Sequence, residues 1–234
     1  MKRALIILAI AVVATVLVVL GCHLRNRPPS TIAERLEQFG ATARARLKPR
    51  FDEAGLSYPP QKLTLVGFKA ERLLQIYATN VTGVWKFIHA YPILGASGVL
   101  GPKLREWDRQ VPEGIYPIEL LNPNSRHVIA MQIGYPNAFD RQQATQDGRT
   151  NLGGDIMIHG GDTSIGCLAV GDEASADLFV LVADTGLSNV AVILSPVDFR
   201  TGDIVSETNR LPTWTTNLYD QIKSRLAELP IEMK

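Results

Sequence analysis

Ile156-Met157-Ile158-His159-Gly160-Gly161-Asp162-Thr163-Ser164-Ile165-Gly166-Cys167 begins as an apolar strand, turns through a glycine-rich loop and ends on a thiol. The histidine stands eight residues before the cysteine. A free thiol titrates at about 8.5, so a thiol nucleophile working at neutral pH needs a neighbouring base. A strand-anchored imidazole and a loop-borne cysteine can supply that pair. Gly160 and Gly161 let the chain fold tightly enough for residue 167 to return toward residue 159, and Gly166 lets a substrate carbonyl approach the backbone. Amides near Gly166 and Cys167 are candidate donors to an oxyanion. The carbonyl of Gly160 is a candidate to fix the imidazole tautomer, and Ser164 a candidate to hydrogen-bond within the loop.

Other readings of the same stretch are weaker. A serine-hydrolase elbow needs G-x-S-x-G, and the first glycine is missing from Asp162-Thr163-Ser164-Ile165-Gly166. A zinc site made of His159, Asp162 and Cys167 has no second group of ligands elsewhere in the chain. A purely structural His and Cys would sit oddly in a loop this polar and glycine-rich. Of the other histidines, His89 lies in an apolar aromatic segment and reads as packed, whereas His127 begins a strand and could line a groove.

Strand signals dominate on both sides of the site. Apolar segments at 62–69 and 73–78 flank Ala70-Glu71-Arg72, as in a hairpin, and 84–90 follows. Further strands are expected at 114–121, 127–133, 155–159 and 190–194, with Asn122-Pro123-Asn124-Ser125 as a turn. Residues 138–153 are polar and read as an exposed loop. Helices are expected from Thr31 to about residue 47, stopped by Pro49, and at 172–184 and 214–229. Strands do not alternate with helices, and neither G-x-G-x-x-G nor G-x-x-x-x-G-K-[ST] occurs, which argues against a doubly wound nucleotide fold. The expectation is a mostly β domain with a few helices over residues 61–200. A basic helical linker at 23–60 precedes it and a helical extension at 201–234 follows.

The first residues carry a separate message. Met1-Lys2-Arg3 is followed by seventeen residues, 4–20, whose apolar run only Thr15 interrupts. That length sits at the lower limit for a membrane helix and is long for a signal-peptide core. Val19-Leu20-Gly21-Cys22 also resembles a lipoprotein cleavage site, so residues 1–22 are either a membrane anchor or a lipoprotein signal. Residues 25–50 hold seven Lys or Arg and two Glu, which reads as a solvated basic helix near a membrane. The formal net charge of +1 argues against nucleic acid as a partner. With Cys22 at the membrane boundary, only Cys167 remains in the folded domain, which therefore has no internal disulfide. In an exported chain such a cysteine, beside a histidine, reads as reactive.

Taken together, the segment from His159 to Cys167 resembles the active-site signature of the L,D-transpeptidase catalytic domain (the YkuD domain). The resemblance extends to its murein L,D-transpeptidase-like branch, which includes an enzyme that detaches Braun's lipoprotein from the wall. It is carried also by Gly95-Ala96-Ser97-Gly98, Gly101-Pro102-Lys103-Leu104-Arg105-Glu106, Asp108-Arg109-Gln110-Val111-Pro112-Glu113-Gly114, Leu121-Asn122-Pro123-Asn124-Ser125 and Tyr135-Pro136-Asn137-Ala138-Phe139-Asp140, over roughly residues 62–200. It implies a β-sandwich of the L,D-transpeptidase type, with Cys167 as nucleophile and His159 as general base. The implied substrates are peptidoglycan stem peptides containing meso-diaminopimelate. They are attacked at the amide after its L-centre to give a thioester and D-alanine, with no cofactor or metal. A wall-attached lipoprotein is a further implied partner.

An amine resolving the thioester gives transpeptidation, and water gives an L,D-peptidase. A reading from another class is a wall-binding module that has kept the fold without the chemistry. Many family members have a second histidine where Ile165 stands, and Arg or Asn where Ala169 stands, and their loop is longer. These departures bear on the choice of acceptor. Lys103, Arg105 and Arg109 are candidates for binding substrate carboxylates, and Tyr116, Tyr135 and Asn137 for lining the groove. The expected location is the cell envelope, tethered to the membrane with the catalytic domain facing the wall.

Overall fold

The strands expected around the His–Cys stretch are joined edge to edge in a computed structural model that describes residues 29–204 and 211–231. We number the strands β1 (Lys62–Phe68), β2 (Leu73–Thr79), β3 (Lys86–Pro92), β4 (Gly114–Ser125), β5 (Val128–Ile133), β6 (Met157–His159), β7 (Leu168–Ala169) and β8 (Val190–Ser195). The helices are α1 (Ile32–Glu53), α2 (Ala138–Gln146), α3 (Asp172–Thr185) and α4 (Thr215–Leu226). The strands form one mixed sheet in the order β3-β2-β1-β8-β4-β5-β6-β7. β1 runs parallel to β8 and β6 parallel to β7; the remaining pairs are antiparallel.

β4 is the strand that gives the sheet its shape. Gly114–Pro117 pair with β8, then the register shifts past Ile118 and the rest of the strand pairs with β5. Such irregularities bend a strand and increase its twist. The bend folds the two halves of the sheet toward each other. A Cβ placed on Gly67 of β1 would lie 3.1 Å from Leu168 Cδ2 of β7, and Gly95, just past β3, bridges to Ala169 of β7. The two-layered core expected from the sequence is therefore built from one sheet turned back on itself.

Period-two alternation sorts the inner strands onto two cores. Leu63 and Leu65 of β1, Leu74 and Ile76 of β2, and Val192 and Leu194 of β8 face the interior shared with Met131, Ile133 and Ile158. Val66, Phe68, Tyr77 and Ile193 point the other way, onto Leu218, Tyr219, Ile222 and Leu226 of α4. The residues 201–234 expected as an appended extension thus include a helix that seals one face of the sheet.

Two further expectations are corrected. The first helix does not end at Pro49 but continues through it to Glu53, and it buries Gly40, Ala43, Leu47 and Phe51, spaced three or four apart. This stripe lies against α3, where Arg46 grips the buried Asp177 and Arg44 reaches Asp184 with two nitrogens at 2.7 Å each. The expected basic linker is therefore part of the same compact unit, which begins at Thr31. Residues 138–146, expected in a loop, form α2. Asn137 Oδ1 accepts from Asp140 N, and the Asp140 carboxylate accepts from Asn137 N, a reciprocal cap that starts a short polar helix. Among the described residues no helix is long and apolar enough to cross a membrane. The apolar run 4–20 and Cys22 lie outside the described residues.

Candidate active site

The parallel register of β6 and β7 sets the position of the thiol. Ile158 pairs with Leu168 and His159 with Ala169, so Cys167 stands one step earlier, beside Met157. Ile158 and Leu168 point into the core. By the period of two, Met157, His159 and Cys167 occupy the opposite face. The Met157 N–H donates to Cys167 Sγ at 3.4 Å, and the Sγ–H reaches Asp155 O at 3.7 Å. Neither of these partners is the His159 ring.

His159 is nearly buried, at 5% exposure, and its Nδ1 lies 2.6 Å from the carbonyl oxygen of Gly160. A carbonyl only accepts, so a neutral ring carries its proton on Nδ1 and keeps the lone pair on Nε2. Burial lowers the imidazole's pKa; the Gly160 carbonyl opposes this and His127 adds to it. Burial likewise pushes the Cys167 thiol up, with Asp155 adding to the rise, against the Met157 N–H and the charge of Lys103. Both shifts favour a neutral thiol and a neutral imidazole over an ion pair.

The loop between them is pinned by short bonds. Ser164 Oγ donates to Cys167 O at 2.6 Å and accepts from Gly166 N at 3.1 Å. That bond occupies the Gly166 N–H, one of the two amides considered as oxyanion donors. Gly161 N donates to Asp172 Oδ1 at 2.8 Å, which ties the loop to the first turn of α3. Glycine is required at two points. A Cβ on Gly160 would meet Asp172 Oδ1 at 2.3 Å, and Gly166 has φ +128, which L side chains rarely adopt.

The segment facing this loop runs from residue 95 to residue 113. Lys103 is not free to greet a substrate. Its Nζ donates to Asp108 Oδ1 at 2.6 Å and to Arg105 O at 2.9 Å, and it is 6% exposed. The Asp108 carboxylate also accepts from the N–H groups of Leu104, Arg105 and Gln110, so this stretch is wound around it. Arg105 and Arg109 are exposed. Arg109 has φ +56, and its carbonyl, which accepts from Ser97 Oγ, belongs to the backbone beside Gly166. Behind the segment, Lys69 Nζ donates to Glu113 Oε1 at 2.8 Å, and Tyr219 of α4 donates to Glu113 Oε2 at 2.8 Å.

Tyr135 and Asn137 have largely internal partners. The Tyr135 hydroxyl donates toward Lys103 O and Leu152 O at 3.3 Å each, while its ring lines an open groove. Asn137 caps α2 and donates to Ile115 O. Tyr116 is 1% exposed and donates to Glu113 O, so it does not line a groove.

His127, a candidate from the sequence to line a groove, stacks on His159. The ring centroids are 4.2 Å apart and the planes 15° from parallel. No spacing rule links residues 127 and 159; the turn between β4 and β5 brings them together. Among the described residues, no three His, Cys, Asp or Glu side chains are gathered as metal ligands would be.

No family model matches the chain. It is 36% identical over 141 residues to "Putative L,D-transpeptidase YafK" of Escherichia coli K12, an alignment covering 58% of this chain and 54% of that protein. The counterpart of that name in Escherichia coli O157:H7 gives the same figures. The chain thus spans about half the length of the curated relatives it matches. Among solved structures, the helical cell shape determining protein Pgp2 from Campylobacter jejuni matches with a TM-score of 0.50 and 22% identity. That match covers 64% of this chain and 52% of the other, and shows a common fold.

Proposed function

We propose that this chain, 36% identical over 141 residues to a protein named as a putative L,D-transpeptidase, is a cysteine acyltransferase of that family acting on diaminopimelate-containing peptidoglycan stem peptides. The observation that carries the proposal is the β6–β7 register, which sets Cys167 on the same face as His159, whose Nδ1 bond to Gly160 leaves Nε2 as a base. In this reading Nε2 takes the thiol proton as sulfur attacks the carbonyl carbon after the L-centre of diaminopimelate. The C–S bond forms and an oxyanion develops, for which the Cys167 N–H is the candidate backbone donor that remains, since Gly166 N is held by Ser164. The C–N bond then breaks, and the imidazolium returns its proton to D-alanine as it leaves.

An incoming amine resolves the thioester to a cross-link or a protein–wall attachment; water resolves it to an acid. The neutral resting pair suits this sequence of events. Thiolate character develops only as Nε2 takes the proton during attack, rather than standing exposed to oxidants beforehand. A tether through residues 4–20 would hold the domain against the wall.

Incubating the protein with purified sacculi and profiling the muropeptides tests the proposal. New diaminopimelate–diaminopimelate links, absent with Cys167→Ala, are the expected outcome. Loss of existing links or of attached lipoprotein, without new ones, assigns the peptidase reaction instead. An unchanged profile contradicts both and leaves the wall-binding module.

A further inference from the structure

A groove of about 830 Å³ opens beside the thiol. Its lining includes Asp155, whose carbonyl oxygen lies 3.7 Å from Cys167 Sγ, and Gln132, which pairs with Met157 across β5 and β6. α2 contributes Arg141 and Thr145 to the lining. Another part of the wall is built by two segments bonded to each other. Glu106 N donates to Asn151 O at 3.1 Å, Asn151 Nδ2 to Glu106 Oε2 at 2.7 Å, and an Arg149 guanidinium nitrogen to Leu104 O at 2.8 Å. The groove is thus formed before any ligand arrives, which limits the ordering cost of binding.

Its ionic lining is mixed. Glu106 and Asp155 supply carboxylates, and Arg141 and Arg149 supply guanidinium groups. Glu106 and Arg149 are engaged in holding the wall, with Arg149 also paired to Asp147 at 2.8 Å. Arg141 is exposed and donates to Pro136 O, and the Asp155 carboxylate meets the neutral amide of Gln132 at 3.5 Å. With a carboxylate from Asp155 and a guanidinium from Arg141 on α2, the groove suits a ligand that carries both an ammonium and a carboxylate. A purely anionic or purely cationic ligand would meet a like charge at one of the two places.

The geometry points to this groove as the receptor for the zwitterionic D-centre of the diaminopimelate residue whose L-centre carbonyl is presented to Cys167. Asp155 takes the ammonium and Arg141 the carboxylate. The inference rests on the proposed function and adds to it which groove reads the substrate and by which two side chains. It also gives a reason for Asp155 to hold a left-handed backbone, φ +54, immediately before the strand that carries His159.

The test uses the full chain carrying Cys167→Ala, so that binding is measured without turnover. Two soluble stem tetrapeptides are compared, one with meso-diaminopimelate at the third position and one with L-lysine, which keeps the terminal ammonium and lacks the carboxylate. The diaminopimelate peptide is expected to bind about tenfold more tightly or better, the size of one charge-assisted hydrogen bond. Adding Arg141→Ala should erase that preference by weakening the diaminopimelate peptide alone. Adding Asp155→Asn, which tolerates the left-handed backbone, should weaken both peptides by a similar factor.

Absence of binding, or a preference that survives Arg141→Ala, overturns the assignment. If the expected pattern holds while the wild-type chain forms no acyl-enzyme with either peptide, the groove assignment stands and the catalytic reading fails. If the wild type acylates and Arg141→Ala leaves its choice between the peptides unchanged, the groove assignment fails and the catalytic reading stands.

Discussion

The two segments that meet beside Cys167 are held by different kinds of bond. Residues 160–167 are fixed mostly by main-chain and hydroxyl contacts, Ser164 to Cys167 and Gly166 and the β6–β7 ladder, with a single bond from Gly161 N to the Asp172 carboxylate. Residues 101–113 are fixed by ion pairs, Lys103 with Asp108 and Lys69 with the fully buried Glu113. The first arrangement aims a thiol with bonds that depend little on ionisation. The second anchors a longer strap to the sheet and to α4 through charges that cannot be left alone in the interior. Disturbing the strap should therefore cost the whole fold, whereas disturbing the loop should cost the reactivity of one atom.

The largest effect is expected from Glu113→Ala, which strands the buried Lys69 ammonium and removes the acceptor of Tyr219. Breaking one side of a buried pair costs about 3–5 kcal/mol, to be measured as a fall in unfolding free energy by denaturant titration. A loss below about 1 kcal/mol would erase the distinction between strap and loop. Gly166→Ala comes next. It imposes a side chain at φ +128, a strain of order 1–3 kcal/mol. Alkylation of Cys167 by iodoacetamide should slow by about tenfold while the cooperative unfolding transition is retained, because a displacement of 1 Å or so is enough to misalign reacting groups.

Ser164→Ala removes two hydrogen bonds within the loop. It should cost about 1 kcal/mol per bond at most and change alkylation only a few-fold. The pH profile sharpens the comparison further. Because burial raises the thiol and lowers the imidazole, rising pH must deprotonate Cys167 to make it reactive. The alkylation rate of the resting protein should keep climbing from pH 7 through pH 9. A plateau already reached below pH 7 would indicate a standing thiolate–imidazolium pair and contradict the neutral reading. The smallest effect belongs to His127→Phe, which preserves a flat ring over His159. It should leave catalysis within a few-fold, whereas His127→Ala removes the stack and should lower the rate further.

Much of this was legible in the sequence. The apolar run 156–159, the glycines and the cysteine place a strand, a loop and a thiol in order, and the inner strands advertise themselves by apolar content because both their faces are buried. What escaped has physical causes. β7 is two residues long and has no period to detect. α2 is polar, and its signal is a capping pair, Asn137 and Asp140, rather than a stripe. The basic residues of α1 suggest a solvated linker, whereas Arg44 and Arg46 neutralise Asp184 and Asp177 more than a hundred residues away. Lys103 and Asn137, expected to face substrate, have side-chain partners inside the fold. The His127–His159 stack and the groove lined by Arg141 and Asp155 join segments distant in sequence, which no local pattern records.

The proposed function depends on transfer of an acyl group from a diaminopimelate stem peptide to Cys167. Intact-mass measurement of the protein after incubation with the soluble tetrapeptide tests it most directly. A gain equal to the tetrapeptide less D-alanine is expected, lost on treatment with hydroxylamine and absent from Cys167→Ala. No mass gain in the wild type, or the same adduct on Cys167→Ala, would contradict it.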